Sequence, residues 1–188
     1  KFGKTADGAV WLDPARTLPY ELHQYFLQVD DRDVEQLLLQ LSLMPVAEVA
    51  EVMAGHAAAP ERRAAQRRLA DEVCTLVHGG EETARADRAA RGMFGATPPA
   101  VEVLEALRGI VPETIVEPAA LEGQESLIDA LVASGLCGSR SDARRTIAGG
   151  GVSVNGERQF GEASALPTGA LVDGRFILLQ KGKRIRHL

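Results

Sequence analysis

Apolar positions recur with a helical period through the first half of the chain and change their rhythm after about residue 125. In "DVEQLLLQLSL", Val34, Leu37, Leu38 and Leu41 fall at i, i+3, i+4 and i+7, the single stripe of an amphipathic helix. Asp30 or Asp31, just ahead, is placed to cap its free N–H groups. Pro45 opens the next helix, which runs through Val49 and Val52 to about Met53. "ERRAAQRRLADEVCTLVHGG" puts Ala65, Leu69, Val73 and Leu76 on one face, Arg63 and Arg67 on the opposite one, and Gly79-Gly80 at the end. A polar helix over about 81–94 and a short one over about 99–108 complete five or six helices with no strand pattern among them. This predicts a compact helical domain.

Residues 109–125, "GIVPETIVEPAALEGQE", hold two prolines, two glycines and a run of acids, and read as an interdomain linker with an extended middle. Beyond it, "SLIDALVASGL" is a short helix with Leu127, Leu131 and Leu136 inward, and "SRSDARRTIAG" is a second one capped by Ser139. "VSVNGE" alternates like a strand and enters an Asn155-Gly156 turn, both positions of which tolerate positive φ. "GRFILLQKGK" closes with a strand. The fold expected is therefore mainly α, a helical domain followed by a small α+β module.

Composition narrows the class. With 188 residues and 45% hydrophobic side chains the chain can bury a core, while no apolar run approaches the ~20 residues of a membrane helix. No apolar segment near the start suggests a secretory signal, and two cysteines, Cys74 and Cys137, suit a reducing compartment, so a cytoplasmic location and no membrane partner are expected. His23, His56, His78 and His187 are scattered without metal-ligand spacing, and no metal site is expected. The net charge of −5 argues against nucleic acid until it is divided: residues 1–60 carry −5, 61–100 carry +1, 101–125 carry −5 and 126–188 carry +4. Lys181, Lys183, Arg184 and Arg186 crowd the end of the basic segment.

The first five residues, Lys1-Phe2-Gly3-Lys4-Thr5, contain "GKT", but a phosphate-binding P-loop needs a strand and glycine before it and a helix directly after, and "ADGAVWLD" offers neither. "KFGKT" instead resembles the KMSKS-type loop of bacterial tyrosyl-tRNA synthetases. "PYELHQYFLQVDDRDV" and "PERRAAQRRLADEVCTLVHGGEE" resemble that family's anticodon-domain helices, and "SLIDALVASGLCGSRSDARRTIAGGGVSVNGE" resembles an S-four-type RNA-binding module. The four blocks follow the family's order over nearly the whole chain. With no initiator Met, the chain is expected to be part of a longer protein whose catalytic domain, with its HIGH-type motif and tyrosine pocket, lies upstream.

The resemblance divides the chain into a loop and connector (1–16), a helical anticodon-binding domain (17–108), a linker (109–125) and an S-four-type RNA-binding domain (126–188). It implies the tRNA-binding part of a tyrosine–tRNA ligase, with ATP as substrate, Mg2+ accompanying the ATP, the tRNA for tyrosine as partner, and a homodimer formed through the absent domain. Catalysis falls to Lys1 and Lys4, and ATP contact to Lys4 and Thr5. The anticodon-reading acid lies among Asp30, Asp31 and Asp33. Arg140 and Arg144 are i, i+4 on one helix face with Arg145 about 100° further round; with Lys181, Lys183 and Arg184 they form an RNA-facing patch. This chain alone is not expected to be catalytic. Two other readings compete: a non-enzymatic RNA-binding adaptor with the same C-terminal module, and a helical interaction domain with an incidental basic tail.

Overall fold

The computed structural model of the protein describes residues 4–5, 8–94, 99–162, 164–182 and 185–188, with backbone alone at 4, 5, 8 and 91–94. It divides into two units, Lys1–Ala90 and Arg91–Leu188.

In the first unit, β1 (Lys4–Thr5) pairs antiparallel with β2 (Gly8–Ala9). Helices α1 (Pro19–Leu27), α2 (Val34–Leu41), α3 (Val46–Ala58) and α4 (Ala64–His78) follow, and α5 (Gly80–Phe94) begins there. Pro19 starts α1, where a missing amide proton costs nothing, and Glu21 reaches back to accept the Leu18 N–H at 2.8 Å. Leu69, Ala70 and Val73 of α4 share one core with Leu22 and Phe26 of α1, Val34 and Leu38 of α2, and Val49 of α3. At about 1.5–3 kcal/mol for each large apolar side chain buried, this shared core holds helices of eight and nine residues that would be marginal alone.

Three expectations for this unit are corrected. Neither Asp30 nor Asp31 caps α2: Asp33 is its N-cap residue and makes no side-chain cap bond, because the other two carboxylates are taken by other partners. Arg63 does not lie on the solvent face of α4. It precedes the helix in the left-handed region (φ 50°) and donates to the carbonyls of Leu27 (3.1 Å) and Val29 (2.8 Å), satisfying acceptors left where α1 ends. Leu76 is 57% exposed, whereas Cys74 is fully buried, so the inward arc of α4 runs through 65–66, 69–70 and 73–74.

The second unit holds α6 (Val101–Leu107), a 3₁₀ turn at Pro118–Leu121, α7 (Ser126–Ala133), α8 (Arg140–Ala148) and a sheet. The strands β3 (Val152–Val154), β4 (Glu157–Gln159), β5 (Leu179–Lys181) and β6 (Ile185–His187) are antiparallel in the order β4-β3-β5-β6. Val152 and Val154 point into a core with Leu127, Ile128, Leu131, Ala143, Ile147 and Leu179. Asn155 and Gly156, at φ 49° and 85°, make the tight β3–β4 turn. The buried Asn155 side chain also donates to the Ala170 carbonyl (2.6 Å) and accepts from the Leu178 N–H (2.8 Å). The closing run differs from the single strand expected: Asp173-Gly174 turns between Val172 and Phe176, β5 is short, and β6 follows as an additional edge strand.

Residues 109–125 fall within this second unit. The Leu188 N–H donates to the Pro112 carbonyl and the Thr114 N–H to the Leu188 carbonyl, both at 3.0 Å. No helix among the described residues is long and apolar enough to cross a membrane.

Candidate nucleic-acid interface

Helix α8 organises the basic face. Ser139 caps it by accepting the Asp142 N–H (3.2 Å), and the Asp142 carboxylate accepts the Gly138 N–H (3.3 Å). Ala143 and Ile147 are buried, and this anchoring turns Arg140, Arg144 and Arg145 outward into exposed positions.

Two of the three arginines are engaged. Arg140 donates to both Glu125 and Asp129, and Arg144 donates to Glu125, each side chain remaining about half exposed. Hydrogen bonds from Arg144 and Arg140 hold the Glu125 carboxyl below its ordinary range, and Glu125 raises Arg140 in return. Arg145 makes no ion pair among the described residues. Lys181, the fourth expected contact, is a strut. Its Nζ donates to the Leu136 carbonyl (2.8 Å) and to Asp142 (3.2 Å), which ties β5 to the α7–α8 turn and to α8. Hydrogen bonding to Lys181 lowers the Asp142 carboxyl, and Asp142 raises Lys181. Lys183 and Arg184 lie outside the described residues.

The three acidic candidates have separate surroundings. Asp30 binds the Arg32 guanidinium through both carboxylate oxygens (2.9 and 3.0 Å), which holds its carboxyl at about 2. Asp31 accepts from Gln66 of α4, and its Oδ1 is 3.3 Å from Nε2 of the buried His56. Asp33 is exposed at the start of α2. Deeper in this unit the fully buried His23 meets Asp71 at 2.8 Å. Among the described residues no three His, Cys, Asp or Glu side chains gather as a metal site.

At the N-terminal end, Lys4 and Thr5 lie in β1 with their backbone described, and Lys1 lies outside the described residues. A strand at Lys4–Thr5, followed by a second short strand, is incompatible with a P-loop, which requires a helix there.

Two features were missed by sequence reasoning. Arg158 and Phe160 lie two apart at the edge strand β4, with the guanidinium 5.9 Å from the ring centroid; the i, i+2 spacing in "ERQF" was the available signal. Within the second unit, an apolar cleft of about 250 Å³ is lined by Ile115, Val116, Leu121, Leu171 and Phe176, and His187 on its wall is hydrogen-bonded to Thr114 at 2.8 Å.

Comparison with known proteins gives the family. Residues 1–95 match the model of the tRNA synthetases class I (W and Y), half of the chain. The chain belongs to the class I tRNA synthetases of the W and Y family. Residues 104–188 match the Tyrosine--tRNA ligase SYY-like C-terminal domain. A Tyrosine--tRNA ligase of Anaeromyxobacter dehalogenans is 45% identical over 190 residues, covering 98% of this chain and 44% of the relative. One from Roseiflexus castenholzii is 44% identical, covering 100% of this chain and 45% of the relative. A C-terminally truncated mitochondrial tyrosyl-tRNA synthetase of Aspergillus nidulans aligns in structure with a TM-score of 0.45 and 35% identity, over 46% of this chain and 25% of that one. This class I synthetase chain thus spans less than half the length of the curated relatives it matches.

Proposed function

We propose that this chain is the tRNA-binding part of a tyrosine–tRNA ligase, an enzyme that activates tyrosine with ATP and transfers it to its tRNA. The observation that carries this reading is the reach of the similarity: relatives named Tyrosine--tRNA ligase match over 98–100% of the chain.

In this reading the helices of the first unit meet the anticodon arm, with the reading acid among Asp30, Asp31 and Asp33, since carboxylates accept base N–H groups. Residues 126–188 are an S-four-type module whose arginine-bearing helix α8 contacts phosphates of structured RNA. Arg144 and Arg145 are its central contacts, flanked by Arg140, Lys183 and Arg184, while Lys181 braces α8 from β5. Lys1, Lys4 and Thr5 belong to the loop that closes over ATP, which arrives with Mg2+. Adenylate formation shifts negative charge onto departing pyrophosphate, and two lysines that meet it in the transition state raise the rate. The whole enzyme works in the cytoplasm as a homodimer joined through its catalytic domain.

Binding of a tyrosine-accepting tRNA transcript across a salt series tests the proposal. We expect affinity that falls steeply with salt and exceeds that for a tRNA with another anticodon. Salt-independent binding, or equal affinity for any RNA, overturns it. The chain by itself should show no tyrosine-dependent exchange of pyrophosphate into ATP; exchange would overturn the assignment as the tRNA-binding part alone.

A further inference from the structure

Resting on the RNA-interface reading above, we infer that Phe160 is a stacking site for one unpaired nucleobase of the bound RNA. Phe160 follows β4, the edge strand of the sheet, and is 61% exposed. An exposed phenylalanine at a strand edge normally costs solubility unless something covers it. Its seat is unusual. A Cβ at Gly150 would lie 2.7 and 2.9 Å from Cε1 and Cδ1, the two atoms of one ring edge, so only glycine lets the ring come this close to the end of α8. Gly150 also sits at φ +67°, where a side chain is strained. One ring edge thus lies beside Gly150, and most of the side chain stays exposed.

The charges around it fit an anionic, π-rich ligand. Arg158 sits 5.9 Å from the ring centroid, and its Cδ would be 3.5 Å from a Cβ at Gly150. Neither Arg158 nor Arg145, in the last turn of α8, makes an ion pair among the described residues, in contrast to Arg140 and Arg144. Positive charge beside the ring favours a ligand that carries phosphates, while the stack itself needs only a base. Stacking on an aromatic ring tolerates any base, so this contact adds affinity without sequence choice.

The test uses the full chain with a tyrosine-accepting tRNA transcript. Phe160→Ala and Phe160→Leu should each weaken binding roughly 5- to 150-fold, while Phe160→Tyr stays near the parent, because the π-face and not apolar bulk is needed. The slope of affinity against salt should stay the same for all three, since no phosphate contact is removed. Phe160→Trp in a Trp11→Phe background should show fluorescence quenching on RNA addition, which reads the contact directly even if the alanine variant folds poorly. Binding of the parent chain with no loss in Phe160→Leu, or no quenching of the new tryptophan, overturns the inference alone. A change in self-association, with RNA affinity untouched, overturns it in favour of a protein contact. Failure of the parent chain to bind RNA overturns both this inference and the reading beneath it.

Discussion

Glu125 and Arg144, nineteen residues apart, meet side chain to side chain, and the second oxygen of the same carboxylate accepts from Arg140. An acid ahead of α7 therefore occupies the two guanidiniums of α8 that an i, i+4 spacing presents for phosphate. Asp129 adds a second carboxylate on Arg140. A phosphate would have to displace a carboxylate to reach Arg140 or Arg144.

Removing that competitor should be visible in salt dependence. Glu125→Gln is expected to bind tRNA more tightly at low salt, with a log–log salt slope steeper by about 1, as Arg144 becomes available for phosphate while Asp129 still holds Arg140. Because Arg144 and Arg140 lower the Glu125 carboxyl, its folded-state advantage is present above the ordinary glutamate range and lost as pH falls through the lowered value. Nitrocellulose filter binding from low to high salt reads the slope; a shallower slope than the parent's would refute the competition.

Lys181 should behave as structure. Lys181→Met removes donors to the Leu136 carbonyl and Asp142 and is expected to cost about 1–2 kcal/mol in urea unfolding. Its RNA salt slope should match the parent's. A slope reduced by about 1, with unchanged stability, would instead make Lys181 a phosphate contact.

Asn155 holds the β3–β4 turn from inside. Asn155→Ala leaves the Ala170 carbonyl and the Leu178 N–H without this partner and puts alanine at φ 49°. A loss of about 2–4 kcal/mol is expected by chemical denaturation. Asn155→Asp keeps the acceptor but not the donor and should fall between alanine and the parent. Parent-like stability in the alanine variant would show that the turn does not need these bonds.

His187 should make the second unit acid-sensitive. Burial lowers its pKa below the ordinary 6.5, so between the two values the unfolded chain binds more protons than the folded one. Its contribution is therefore complete above about 6.5 and lost as pH falls through the lowered folded value. His187→Gln, which can still reach Thr114, should flatten the fall in melting temperature between about pH 7 and pH 5. An unchanged pH profile would assign that loss to other groups.

Much of the fold was legible because period and punctuation are local. The stripe of α2, the Gly79 end of α4, the Ser139 cap and the Asn155-Gly156 turn each follow from residues within one or two turns of one another. Leu76 was misread for a related reason. Periodicity tells which side of α4 faces inward, but not how far along it a neighbour extends, and Leu76 stands in the last turn. Of the candidate site, helical spacing singled out the arginines of α8 and the family resemblance the acids at 30, 31 and 33, but neither gave their partners. Arg63 and Gln66 reach back 34 and 37 residues to Val29, and Arg140 reaches Asp129 and Glu125, distances over which spacing rules carry no information.

By itself the sequence determined the helical first part, the small α+β second part, the displacement of positive charge toward the C-terminal end, and the family resemblance in four ordered blocks. These depend on side-chain type and near-neighbour spacing. Only the tertiary structure decided which cations are engaged: Lys181 as a strut, Arg140 and Arg144 held by Glu125, and Arg145 and Arg158 without an ion pair among the described residues. The reason is physical. A charge's availability depends on the nearest opposite charge in space, and that neighbour is set by how helices and strands pack rather than by their order along the chain.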